Sequence, residues 1–293
     1  MKALLYAALV LMAIPAEAAE RPRIPAVLDE MLKLSGIEDR LARLPEAMMD
    51  VLGDGGSSGD AGGDKRLRDI VRQSYRREVT YPAFVAAVAE RYEARQARTV
   101  VETLRAPLFR RLQALENDAI APGALARLNA FSEQLVDDRP GVDRHLLIRR
   151  LDAASGASAV NLEILASTVA AFGAMLPAQG SALRDVRAAV KEQSVVGVKN
   201  HVLLTLLYAY RSASDEELRE YADFWESSPG RWYVGTMNGA VVRAMTRAAE
   251  MAVRTTRQRS SAGERLRARA GRSSRSAISS AGELRPKNGR TDF

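Results

Sequence analysis

The chain contains Ser214-Asp215-Glu216-Glu217-Leu218, which runs through Tyr221 and Ala222 into Phe224-Trp225-Glu226-Ser227-Ser228-Pro229-Gly230-Arg231-Trp232-Tyr233. Each residue type in this stretch has a local task. Ser214 and Glu217 predict a capping box, the serine oxygen accepting from the third helical amide and the glutamate reaching back to the cap amide. Asp215, Glu216 and Glu217 complement the positive end of the helix dipole. Leu218, Tyr221, Ala222 and Trp225 follow at the spacing of one helical face. Ser227 or Ser228 then caps a second helix, with Pro229 at its first position and Gly230 behind it. Tyr233, Val234, Met237, Val241, Ala244, Met245 and Ala248 form the apolar side of that helix. Two helices joined this tightly predict a hairpin or corner, with Trp225 and Trp232 at the joint.

The same periodicity extends outward. Ile37, Leu41, Leu44 and Met48 recur at helical spacing, as do Phe84, Val88 and Tyr92, and Leu203, Leu206, Leu207 and Tyr210. Strand-like alternation never persists. The chain therefore reads as all-α, a multi-helix bundle of about ten to twelve helices. Ser35-Gly36 predicts a helix end with glycine in the left-handed conformation, which glycine reaches without a Cβ penalty. Gly53 to Asp64 reads as a flexible loop, and Pro82, Pro107, Pro122, Pro140 and Pro177 as further starts or stops.

Two halves align by their breakers. Leu34-Ser35-Gly36 matches Ala154-Ser155-Gly156, each followed by an amphipathic helix and a Met-bearing turn at Met48-Met49 or Met175. Glu102 to Pro107 likewise matches Phe224 to Pro229. The expected organisation is a signal peptide over 1–18, helical repeats over 19–139 and 140–253, and a basic disordered tail over 254–293.

The leader is read from Lys2, the apolar run Ala3 to Ile14, and Ala16-Glu17-Ala18, which predict export with cleavage before Ala19. The run is shorter than the roughly 20 apolar residues a membrane span needs. No cysteine occurs, which removes disulfides, thiolate metal sites and thiol nucleophiles. The net charge of +7 is concentrated at one end: residues 254–293 hold eleven Arg or Lys against three acids, a net +8, leaving −1 for the rest.

The stretch from Leu207 to Met245, and more faintly Leu28 to Leu44, resembles the domain-of-unknown-function family numbered 2059. The resemblance rests on the acidic capped start, Glu-Glu-Leu, the aromatic-rich turn and Glu-Ser-Ser-Pro-Gly. That family places proline directly after its first serine, whereas here it stands one position later. The resemblance implies a helical, exported bacterial protein, and no activity.

Catalytic readings are thin. The Glu226-Ser227 pair superficially resembles the acid motif of lytic transglycosylases, with Glu226 as general acid. Gly235-Thr236-Met237-Asn238 follows it too closely for that family, and the bland reading has Glu226 facing solvent or pairing with Arg231. His145 and His201 lie far apart, and His201 on its apolar helix reads as a core or boundary residue. No metal-ligand spacing, nucleophile triad or phosphate-binding glycine loop is present, so no cofactor or metal is expected. Arg66, Arg68, Arg72, Arg76 and Arg77 give one helix a cationic face, Arg105, Arg110 and Arg111 another. Arg265, Arg267, Arg269, Arg272 and Arg275 make the tail denser still.

The expected function is that of a non-enzymatic envelope protein that binds a partner through a groove between its halves. The expected partner is an envelope protein or anionic envelope surface rather than nucleic acid. The alternative is a peptidoglycan-active hydrolase or lyase using Glu226. Ser214, Glu217, Leu218, Tyr221, Phe224, Trp225, Pro229, Gly230 and Trp232 are expected to serve as a structural motif.

Overall fold

The computed structural model describes residues 24–46, 61–121, 123–173 and 183–281. The described residues form twelve helices and no strand, as the periodicity predicts. The first six are α1 (Ala26–Ser35), α2 (Ile37–Ala42), α3 (Ala61–Tyr75), α4 (Arg77–Ala89), α5 (Ala94–Arg105) and α6 (Pro107–Ala119). The second six are α7 (Ala124–Asp137), α8 (Val142–Ser155), α9 (Ala157–Gly173), α10 (Leu183–Ala209), α11 (Asp215–Glu226) and α12 (Ser228–Ala281).

Local chemistry explains the breaks. Gly36 ends α1 in the left-handed region at φ 64°, its N–H donating to Lys33 O. Ser35 Oγ donates to Leu32 O at 2.7 Å and accepts from Ile37 N at 3.3 Å, so one hydroxyl closes α1 and opens α2. Gly156 repeats the left-handed turn between α8 and α9, also at φ 64°. There the buried Asp152 carboxylate does the capping, accepting from Ser158 N and Oγ, both at 2.8 Å. Two further breaks are extended single-residue joints. Ala106 (φ −61°, ψ 141°) separates α5 from α6 and is followed by Pro107 at the first position. Ser227 (φ −69°, ψ 167°) separates α11 from α12.

Four expectations need correction. Pro82 neither starts nor stops a helix but lies inside α4. It and Glu78, whose carbonyl it leaves without an amide, are both on the exposed side, where that loss costs least. Ala61 to Asp64 belong to α3 rather than to a loop. Pro229 occupies the second position of α12, because Ser227 is the cap and accepts from Gly230 N at 3.2 Å. The chain does not become irregular at Arg254: α12 continues to Ala281. Met48-Met49, Met175, residues 53–60, Pro122, Pro177 and residues 1–18 lie outside the described residues.

One core runs through the chain from Leu28 to Ala244 and draws on both predicted halves. The pairings within the two halves follow the same order. In the first, α1 packs on α5, α2 on α4 and α5 on α6; in the second, α8 packs on α11, α9 on α10 and α11 on α12. The contacts between halves are reciprocal: α6 lies against α10, and α12 against α4. Further along, Met245, Ala248 and Ala249 of α12 close a second, smaller cluster with Val71 and Tyr75 of α3. Trp232 Nε1 donates to Arg91 O at 3.1 Å and Gln96 to Ser228 Oγ at 3.4 Å, fixing the start of α12 against the first half.

Candidate functional site

The helix starts at Pro107 and Asp215 set the phase of two faces that meet. On α6, Phe109, Leu112 and Glu116 follow at i, i+3 and i+7, so an acid continues an otherwise apolar stripe. On α11, Leu218, Tyr221, Ala222 and Trp225 are all buried. Phe109 packs among the α11 aromatics, with ring centroids 4.9 Å from Tyr221, 5.1 Å from Phe224 and 5.9 Å from Trp225. Trp225 in turn stacks on Tyr233 of α12 at 5.4 Å and 27°.

These faces wall a cavity of ≈ 360 Å³ lined from both halves. At its polar base, Glu116 Oε1 accepts from Tyr210 OH at 2.6 Å and from Tyr221 OH at 2.7 Å. Glu116 Oε2 lies 3.5 Å from Arg40 Nη2, and Arg40 also donates to Asn117 Oδ1 through Nε (3.2 Å) and Nη2 (3.0 Å). Burial pushes the Tyr210 and Tyr221 phenols well above their ordinary value, and the Glu116 charge adds to this by disfavouring a phenolate beside it. Burial likewise takes Tyr233 up to about 12. The phenols therefore stay protonated and act as donors. Gln113, Asn161 and Asn238 add amide groups to the lining; Asn161 donates to Ala157 O and Asn238 to Ser155 O, leaving acceptor oxygens beside the cavity.

Of the nine motif residues, only Tyr221 and Trp225 line this cavity. Ser214 and Glu217 form the capping box, with Glu217 N to Ser214 Oγ at 3.2 Å and Ser214 N to Glu217 Oε2 at 2.8 Å. Leu218 is fully buried, and Phe224 packs edge-on against Phe109. Pro229, Gly230 and Trp232 belong to the joint. Sequence reading missed Arg40, Glu116 and Tyr210. The available signal was the acid on the apolar stripe of α6 and a tyrosine ending that of α10.

Glu226 is not in the cavity wall. Arg150 of α8 grips it with two bonds, Nε to Oε1 at 2.9 Å and Nη2 to Oε2 at 2.6 Å, and also binds Asp223 at 2.5 Å. The expected Arg231 partner instead donates to the Glu226 backbone carbonyl. The Arg150 hydrogen bonds hold the Glu226 carboxyl below the usual carboxylate range, the wrong direction for a general acid. His201 is exposed rather than core or boundary, and His145 is exposed as well. The acids at the start of α11 are engaged by Arg144 (Asp215, 2.7 Å), Arg219 (Glu216, 3.1 Å) and Arg111 (Glu217). Several arginines of the expected cationic faces also pair with acids: Arg77 with Glu38, Arg105 with Glu30, and Arg111 with Glu217.

Among the described residues no group of three His, Cys, Asp or Glu could hold a metal ion, and no helix is long and apolar enough to cross a membrane. Fold and site together define an all-α protein with an aromatic-walled cavity among its helices. No family model, curated protein or solved structure matches the chain.

Proposed function

We propose that this is an exported, non-enzymatic binding protein that holds an envelope component in the cavity between its two halves. The observation carrying the reading is that the wall is shared: α2, α5 and α6 contribute on one side, and α8 to α12 on the other. Aromatic and aliphatic walls suit an apolar body, and the Glu116, Tyr210, Tyr221 and Arg40 base suits a polar end. The tight Arg150 grip on Glu226 counts against the hydrolase or lyase alternative.

The two halves are in this reading a duplicated unit, related by the paired left-handed glycines 36 and 156 and the extended joints 106 and 227. Export, with release of residues 1–18, and kinship with the 2059 family rest on the sequence features that suggested them.

Native mass spectrometry of the protein taken gently from the envelope tests the binding reading. Wild type should retain a bound mass, and Val160→Phe, which adds a ring at the half-buried lining residue of α9, should lose it. An empty wild-type protein, or equal retention by both, would overturn the cavity as the binding site.

A further inference from the structure

From the geometry of α12 we infer a second binding surface: a linear arginine face that docks the protein on anionic phospholipid. An α-helix turns about 100° per residue. On that basis Arg243, Arg247, Arg254, Arg257, Arg265, Arg269, Arg272 and Arg275 fall within one sector of roughly 120°. Arg259 and Arg267 fall outside it. The sector extends along about 48 Å of helix at 1.5 Å per residue.

The described side chains support the placement. Arg243, Arg247, Arg254 and Arg257 are all exposed, while Ala244, Ala248 and Ala252 of the neighbouring face are buried against the body. Acids offset only the near end. Glu90 pairs with Arg243, and Glu250 lies 3.8 Å from Arg247 and 3.2 Å from Arg254. Beyond Glu250 the sequence up to Ala281 has one further acid, Glu264, at the edge of the sector. By sequence, the cationic face is thus least compensated beyond Glu250.

The occupant follows from charge and from what the helix lacks. The faces away from the arginines carry Thr256, Gly263, Leu266, Ala270, Ala277, Ile278 and Ala281, whose two large apolar residues, Leu266 and Ile278, are too few to anchor in a bilayer. The surface it fits is a plane of anionic head groups, attracted electrostatically and released by salt. This surface is independent of the cavity, so either can fail alone.

Co-sedimentation of the full chain with vesicles supplies the test. One set contains phosphatidylglycerol and phosphatidylcholine, and the other phosphatidylcholine alone. The apolar run Ala3 to Ile14 is common to every variant, so its contribution cancels. Wild type should bind the anionic set more tightly than the neutral set at low salt, and high salt should abolish that difference. Arg265→Gln with Arg269→Gln should weaken binding on the order of 20-fold, since each arginine at such a surface contributes about five-fold. Arg259→Gln with Arg267→Gln removes the same charge from outside the sector and should weaken it much less. Glutamine keeps helix propensity close to that of arginine, so a fold defect does not confound the comparison. Equal losses in the two pairs would overturn the face, and no preference for the anionic set at low salt would overturn the surface. Tight binding to duplex DNA without vesicle binding would also sink it.

Discussion

Gly230 shows how a single hydrogen atom can decide a joint. A Cβ built there would sit 2.1 Å from Phe224 O and 2.7 Å from Trp225 Cα, so the first turn of α12 lies directly on the last turn of α11. Backbone cannot retreat as a side-chain tip can. Gly230→Ala should therefore destabilise by about 3 kcal/mol or more, measured as a loss in urea midpoint. Ser214→Ala, which removes only one half of the capping box, should cost about 1 kcal/mol in the same assay. Glu116→Ala strands two buried phenols and should cost roughly 1–3 kcal/mol for each, while Glu116→Gln keeps an acceptor and should cost less. The capping residues were legible because caps are local: Ser214 and Glu217 are three apart in sequence. The carboxylate of Glu116 was not legible, because its phenolic partners lie 94 and 105 residues away.

Helix ends offer a controlled comparison between the two halves. Gly36 and Gly156 share φ 64°, but a Cβ at Gly36 meets nothing within 4 Å, whereas one at Gly156 comes within 3.1 Å of Asn238 Nδ2. Both alanine substitutions carry the left-handed penalty of about 1–2 kcal/mol. Gly156→Ala should cost more, since it also presses on the amide that donates to Ser155 O. Differential scanning calorimetry of the two variants should place Gly156→Ala at the lower Tm. At this scale glycine was easy to read and proline was not. Pro107 begins a helix, whereas Pro82 sits within one, and the residue type alone does not say which. The basic tail misled for a related reason. Its serines and arginines signal weak cohesion, yet Arg254 to Ala281 continue a helix already nucleated and packed upstream.

Across the whole molecule, four buried or cavity-lining phenols set the response to alkali. Tyr75 and Tyr233 are pushed from 10 to about 12, and Tyr210 and Tyr221 well above 10. Between pH 10 and 12 the unfolded chain has lost protons that the folded chain retains. These groups thus contribute full stability below pH 10, and lose it as pH rises towards the folded values. Urea midpoints should hold up to about pH 9 and fall steeply by about pH 11. The phenolate absorbance contributed by these four tyrosines, isolated by Tyr→Phe difference spectra, should rise in step with unfolding rather than before it. An all-α multi-helix bundle could be anticipated from the periodicity and the breakers. The reciprocal contacts of α6 with α10 and of α12 with α4 could not, because helix periodicity gives a face and not the partner that covers it.

The placement of α12 also bears on the order in which the chain is made. It packs against α3, α4 and α5 of the first half and α8, α9 and α11 of the second, and it begins only at Ser228. Synthesis delivers residues from the N-terminus, so α3 to α5 emerge long before the helix that covers them. A nascent chain stopped short of Ser228 has no lid for either half and stays open. A chain kept open until late completes its core only once α12 has been made, so folding of the early helices waits on that helix.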